Sequence, residues 1–294
     1  FMKLILKKIY GMLPAALLLN TPLKKYIHNK PIPRGIKHFY VKPTTSKFLS
    51  DDSPIARLAF WLGVDGYEAA ELKLYMKLCS RVASVCEVGG NIGYFTVFGA
   101  GANRKFYQVY EPLPYNYNLL RKNVELNNLD FVNVYNSAVV GDHKIKSIQL
   151  FTPKQEKYGA ATGGFIEGAE SISREVGAVY EVAAVGSSKA LSGFELLKID
   201  VEGAEFEILS KAEVELVKAQ TIILVEMRRG TKNLRQWIYS YAKKHEYCIF
   251  ALNEFEGSLN EINVEDIPDI ILQDVYGTRD IIMCPKHKKS IVTE

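Results

Sequence analysis

Residues 82–95 read Val-Ala-Ser-Val-Cys-Glu-Val-Gly-Gly-Asn-Ile-Gly-Tyr-Phe, and this stretch decides the fold. Its first half, residues 82–88, is a short β-branched run that stops at Gly89-Gly90, the pattern of a buried parallel strand. Gly89 and Gly93 permit a tight turn, and Gly90, without a Cβ, is expected to let the backbone approach a ligand closely. The turn opens a helix whose free amides favour an anionic group such as an amino-acid carboxylate. The glycines stand as GGxxG with Glu87 just ahead of them. That spacing differs from the GxGxxG of dinucleotide sites.

Working outward, the same rhythm continues. Residues 67–81 (YEAAELKLYMKLCSR) place Ala69, Leu72, Tyr75, Met76 and Cys79 at helical spacing, with charge on the other face. A second strand is expected at 105–110 (KFYQVY), then an amphipathic helix at 115–127 closed by Asn127-Asn128. Further strands follow at 132–140, 196–199 and 221–225, with helices at 204–211 and 234–245. Two closing strands, 247–252 and 280–284, have no clear helical pattern between them. Strands alternating with helices imply an α/β, doubly wound, mostly parallel sheet, here of seven strands. The last pair, lacking a crossover helix, is expected to run antiparallel at one edge.

The chain has 294 residues, 48% hydrophobic and 24% charged, enough to bury a sizeable core. Its formal net charge of +4 is far below that of a dedicated nucleic-acid binder, so no nucleic-acid partner is expected. Cys79, Cys86, Cys248 and Cys284 form no CxxC pair, which argues against a zinc site or a disulfide framework and for reduced thiols in the cytoplasm.

The sequence divides into an N-terminal arm, 1–65, and a main domain, 66–294. Phe1 ahead of Met2 reads as an addition made for expression. The arm is expected to be helical first, then extended, with Pro22, Pro31, Pro33, Pro43 and Pro54. Lys7, Lys8 and Pro14 interrupt its apolar stretch, which falls short of the ~20 residues that span a bilayer. Asn20-Thr21-Pro22 makes a poor signal-peptide cleavage site. Two readings stay open: a helical arm packed on the domain or on a second copy in a homodimer, or an interfacial membrane anchor through residues 3–25. A glycine-rich insertion at about 150–190, with a polar loop at 152–158 and Gly159, Gly163, Gly164 and Gly168, breaks the strand–helix rhythm. It reads as a substrate lid or as edge decoration.

Ligands of open α/β sheets bind beyond the carboxyl ends of the strands. The glycine turn is one such end. Glu111, followed by Pro112, closes the second strand 22 positions after Gly89, where a bidentate carboxylate holds the ribose of nucleotide-like ligands. Asn136-Ser137-Ala138, followed by Gly141-Asp142, reads either as the border of an adenine ring or as a plain strand-to-turn transition. In residues 197–205 (LKIDVEGAE), Asp200 ends the fourth strand, and Glu202 and Glu205 open the next helix. Glu205 also fits a helix-capping role, and Lys198 is placed to pair with one of these acids.

Taken together, EVGGNIGYF, YEP, NSAV, LLKIDVEGAEFEIL and ILVEM resemble the FkbM family of S-adenosylmethionine-dependent O-methyltransferases, in order and spacing across about 66–285. The resemblance implies a Rossmann-like methyltransferase sheet with S-adenosylmethionine as cofactor. Glu87, Gly89, Asn91 and Gly93 would line the methionine end, with Gly90 and Tyr94 in the same loop. Glu111, next to Pro112, would hold the ribose, and Ser137, with Ala138, would lie near the adenine. Asp200 and Glu202 would face the reaction centre. Two departures stand out. The family's first strand usually ends in Asp-x-Gly-Ala-Asn where this chain has Glu87 and Gly90, and Ser187, Ser188 and Lys189 replace an acidic pair expected before the fourth strand.

The expected reaction is O-methylation of a hydroxyl on a sugar, a glycan component or a related small molecule. Asp200 or Glu202 is the expected base or orienter, and Glu226, at the end of the fifth strand, is a third candidate. Acids so placed can ligate a divalent cation, but no tight ligand spacing supports one, and no metal is assigned. The rival reading is a non-catalytic, nucleotide-binding scaffold. Against a nucleic-acid methyltransferase, no Asn-Pro-Pro-aromatic tetrapeptide is present to hold a flipped base.

Overall fold

The computed structural model describes residues 35–41, 44–50, 54–62, 66–102, 105–153, 165–166, 176–253 and 256–294. The expected helix at the start of the arm, residues 3–25 and the glycines at 159, 163, 164 and 168 lie outside them.

A hairpin of β1 (Gly35–Val41) and β2 (Thr44–Ser50) leads to α1 (Pro54–Leu62). The main alternation runs α2 (Ala69–Arg81), β3 (Ser84–Val88), α3 (Tyr94–Ala102), β4 (Phe106–Tyr110), α4 (Pro114–Leu126), β5 (Val132–Tyr135). A second group follows: β6 (Ala138–Val140), β7 (Ser147–Pro153), β8 (Phe165–Ile166), β9 (Val176–Gly186). The alternation resumes with α5 (Ser187–Ala190), β10 (Leu196–Ile199), α6 (Glu205–Lys211), α7 (Glu213–Ala219), β11 (Ile222–Glu226) and α8 (Lys232–His245). It closes with β12 (Tyr247–Asn253), β13 (Ser258–Ile262), α9 (Leu272–Val275), β14 (Asp280–Pro285) and α10 (Lys289–Thr293).

The main sheet has eight strands in the order β13-β12-β14-β11-β10-β3-β4-β5. Strands β11, β10, β3, β4 and β5 are parallel, as the alternation implies. The order reverses between β3 and β10, so the switch point lies where their carboxyl ends meet. The expected seven strands become eight because Glu256-Gly257 turns the chain into a hairpin that adds β13 at the edge. β14 is antiparallel as expected, but it lies inside the sheet, between β12 and β11.

Both faces of the sheet are covered, and strand alternation sorts the side chains. Val85 enters a core with Leu72, Tyr75 and Leu78 of α2, Phe98 of α3 and Leu120 of α4. Cys86 and Val88 enter the opposite core with Ile208 and Leu209 of α6 and Leu234, Ile238 and Tyr241 of α8. Each such fully buried aliphatic side chain contributes about 1.5–3 kcal/mol.

Two stretches differ from the sequence reading. The single strand expected at 132–140 breaks at Asn136, so that β6 leaves the main sheet and pairs with β9. The described parts of the insertion are strands: β9 runs antiparallel to β7, giving a four-stranded sheet in the order β6-β9-β7-β8. In the stretch expected to be merely extended, β2 and α1 pack against the main domain. Phe48, Ile55, Ala56 and Ala59 join its core. β2 docks on asparagine amides of α4 rather than on a strand. Leu49 N–H donates to Asn123 Oδ1 at 2.8 Å, Lys47 N–H donates to Asn127 Oδ1 at 2.8 Å, and Asn127 Nδ2 donates to the Lys47 carbonyl at 2.8 Å. An i, i+4 pair on one helix face thus imitates a strand edge.

Candidate functional site

The turn after β3 is tied to its neighbours through the backbone. The N–H groups of Gly89 and Gly90 both donate to the Tyr110 carbonyl at 3.0 Å, and Gly93 N–H donates to the Gly90 carbonyl at 2.8 Å. Gly89 has φ +93°, and a Cβ there would stand 2.0 Å from the Asp200 carbonyl oxygen. Gly90 differs from expectation: its Cβ would lie 2.4 Å from Val109 Cγ2 and 2.5 Å from Leu120 Cδ1. Its bareness therefore lets β4 and α4 close in, rather than admitting a ligand.

Glu111 follows β4 and is 5% exposed. Its Oε2 accepts the Asn91 N–H at 2.8 Å and its Oε1 accepts the Leu113 N–H at 2.9 Å. Burial pushes this carboxyl up to about 7, against the pull of those two amides and of Asn116. Two backbone donors thus aim the carboxylate while leaving lone pairs for hydroxyl donors.

Glu87 lies deeper, 2% exposed, on the face that packs against α2 and α3. Thr96 Oγ1 donates to its Oε2 at 2.7 Å, and Tyr107, itself bonded to Tyr75 at 2.6 Å, donates to the same atom. Burial raises it to about 7. Tyr94 opens α3 but is turned into an aromatic cluster, with its ring centroid 5.7 Å from Phe48, 5.7 Å from Tyr67 and 5.2 Å from Phe98.

Asp200 stands at the end of β10 with its side chain 38% exposed. Beneath it, Lys198 Nζ lies 3.6 Å from Asp200 Oδ2 and 3.5 Å from Glu71 Oε1. Glu202 and Glu226 form a second group. Arg228 Nη1 pairs with Glu202 Oε2 at 2.5 Å, and Arg228 Nε pairs with Glu226 Oε2 at 2.6 Å. Arg279 Nη1 reaches Glu226 Oε1 at 3.0 Å. Burial and the nearby Asp200 push Glu226 up to about 8, against Arg228 and Arg279. Glu205 does not cap its helix but braces the loop that leads into it, its Oε1 accepting the N–H groups of Val201 at 3.1 Å and Gly203 at 3.2 Å.

Backbone conformation marks the same rim. Among the described residues, the non-glycine residues at positive φ are Glu68, Asn91, Asn128, Glu202, Gln220 and Glu246. Asn128, Gln220 and Glu246 end helices, where the left-handed region is ordinary. Glu68, Asn91 and Glu202 sit instead at the open end of the sheet.

A sequence model of the methyltransferase FkbM domain matches residues 87–249, more than half of the chain. The chain belongs to the FkbM methyltransferase family. No curated protein sequence matches it. Among solved structures, the FkbM methyltransferase of Methylobacillus flagellatus KT aligns at TM-score 0.42 and 10% identity, covering 92% of this chain and 60% of that one. An O-methyltransferase from Bacillus cereus in complex with SAH aligns at TM-score 0.40 and 11% identity, covering 74% of this chain and 80% of that one. Precorrin-6y C5,15-methyltransferase from Geobacter metallireducens GS-15 gives TM-score 0.38 and 10% identity, covering 74% and 85%. The family assignment rests on the sequence match.

In this FkbM methyltransferase the structure gathers Gly89, Asn91, Glu111, Asp200, Glu202 and Glu226 around the carboxyl ends of β3, β4, β10 and β11. Asn136 ties the edge of the site, its Nδ2 donating at 2.9 Å to the carbonyls of both Glu111 and Pro112. Ser137 is half-buried and Ala138 buried beside it. Sequence reasoning passed over Glu71, Arg228, Arg279 and Asp280. Glu71 carried a signal, because it stands four residues before Tyr75 on the buried face of α2. Asp280 and Arg279 carried none, since only the insertion of β14 beside β11 brings them to the site.

Proposed function

We propose that this FkbM-family chain transfers the methyl group of S-adenosylmethionine to a hydroxyl of a sugar, a glycan component or a related small molecule. The observation that carries the reading is Glu111. Its two oxygens are aimed by the Asn91 and Leu113 amides at the mouth of the β3–α3 turn, a donor set suited to a vicinal diol. The residues present therefore fit the cofactor. Glu111 would hold its ribose, Asn91 and the turn its methionine end, and Ser137 and Ala138 would border its adenine.

When bound, the sulfonium supplies an electrophilic methyl group for in-line displacement. The chain must then orient the acceptor oxygen and take its proton. Asp200 suits the proton, because its carboxylate is the accessible one beside the turn. Glu202 and Glu226 are held by Arg228 and suit orientation, accepting hydrogen bonds from other hydroxyls of a polyol.

Calorimetric titration of S-adenosylmethionine and S-adenosylhomocysteine into the wild-type protein and Glu111→Ala tests this. Micromolar binding that collapses in the variant supports the reading and opens an acceptor screen beginning with sugars. A folded wild-type protein that binds neither compound overturns it and favours the scaffold.

A further inference from the structure

The proton-accepting role given to Asp200 leaves a buried cation unexplained. Lys198 lies on β10 two positions before Asp200, so both side chains leave the same face of the strand. Its side chain is 5% exposed, and its Nζ stands 4.4 Å from the centroid of the Phe95 ring. An ammonium removed from water is costly unless carboxylates replace its hydration.

Resting on that reading of Asp200, we propose that Lys198 is a positioning residue for methyl transfer: anchored on Glu71 of α2, its ammonium fixes the Asp200 carboxylate at the mouth of the site.

The arrangement is asymmetric. Glu71 is 3% exposed and set in a helix, whereas the Asp200 side chain is 38% exposed and ends a strand. The ammonium therefore links a fixed acid to a freer one, and Phe95 closes a third side against water. Asp280 of β14 faces the same group, and burial together with Glu71 pushes its carboxyl up. Burial pushes Glu71 up to about 8, with Lys198 opposing and Glu68 and Asp200 adding to the rise. The groups facing Lys198 are Glu68 and Glu71 from the α2 side, Glu87 on β3, Asp200 at its own strand end and Asp280 on β14. Of these acids, Lys198 lies within ion-pair distance of Glu71 and Asp200.

The test is carboxyl 13C NMR of the full chain at one fixed pH, with the Asp200 resonance assigned through Asp200→Asn. Lys198→Met is expected to move the Asp200 carboxyl resonance away from its wild-type position, and Lys198→Arg to restore it. A role confined to filling space would not be rescued by the cation alone. An unchanged Asp200 resonance in folded Lys198→Met overturns the proposal. Should that variant not fold, the reciprocal measurement decides. In Asp200→Asn the Lys198 ammonium must lose its proton at lower pH, and an unchanged titration overturns the proposal. Parallel calorimetry with S-adenosylhomocysteine separates the two ideas. Lost binding in the wild type removes the methyltransferase reading, whereas intact binding with no carboxyl shift removes only the role of Lys198.

Discussion

The carbonyl oxygen of Asp200 stands 2.0 Å from the place a Cβ on Gly89 would occupy. The turn that ends β3 and the acid that ends β10 are therefore packed backbone to backbone across the switch point, and Asp200 N–H donates to the Val88 carbonyl at 3.0 Å. Gly89→Ala must move one strand end away from the other and strain a φ of +93°. We expect a loss of about 3 kcal/mol or more in urea unfolding. Full stability in that variant would show that the strand ends can part freely.

Glu111→Gln puts an amide NH2 against the N–H of Asn91 or Leu113. Affinity for S-adenosylhomocysteine should fall roughly 30-fold, the value of a hydrogen bond to a charged group. Because Glu111 is pushed up to about 7, wild-type affinity should hold above that pH and decline below it as the carboxylate is protonated. Calorimetry between pH 6 and 8 reads both effects (roughly tenfold per pH unit at most).

Stability should have an unusual pH slope. Burial pushes Glu87, Glu111 and Glu205 each up to about 7 from an ordinary 4.5. Between those values the folded chain holds protons that the unfolded chain has released. The contribution of these groups is thus complete below 4.5 and is lost as pH rises through about 7. Each can contribute at most about 1.4 kcal/mol per pH unit. Urea midpoints should fall from pH 5 to pH 8 without ligand, and a rising midpoint would contradict the assignment.

Arg228→Leu removes the guanidinium that Glu202 and Glu226 share, leaving Glu226 to Arg279. The Arg228 side chain is 13% exposed and holds both Glu202 and Glu226, so removing it should cost about 3 kcal/mol by thermal unfolding. Arg228→Lys should recover less than half of that, because a point charge cannot bridge two acids as a guanidinium fork does.

Asn123→Leu should free β2. Asn123 accepts from Leu49 N–H and donates to the Ile92 carbonyl at 2.7 Å, so its loss leaves two backbone groups unmet. A cost of about 2 kcal/mol is expected, with faster hydrogen exchange at Leu49. Unchanged exchange there would mean the hairpin is held by its apolar contacts alone.

The central strands were legible because local pattern and tertiary role agreed. In residues 84–88 and 222–226, mostly apolar, β-branched runs mark strands buried on both faces, and the turn after each is where an open sheet exposes its strand ends. Glu111 and Asp200 were readable for the same reason, since a residue closing a parallel strand lies at the ligand edge whatever surrounds it. β13 was not, because residues 258–262 (SLNEI) are partly polar and become a strand only by pairing with β12. β2 was hidden among prolines, and its anchor on the main domain is a pair of asparagine amides that no propensity encodes.

The sequence by itself determined the alternation and the acids that end β4, β10 and β11, since these follow from periodicity and glycine spacing along one chain. Only the tertiary structure decided that Gly90 faces Val109 and Leu120 instead of a ligand. It also decided that Lys198 meets Glu71 as well as Asp200, and that Arg228 clamps Glu202 to Glu226. Such contacts join elements far apart in the chain. A charge buried by folding takes whichever opposite charge the packing brings within reach, and that choice is made by the assembled layers rather than by the neighbours in sequence.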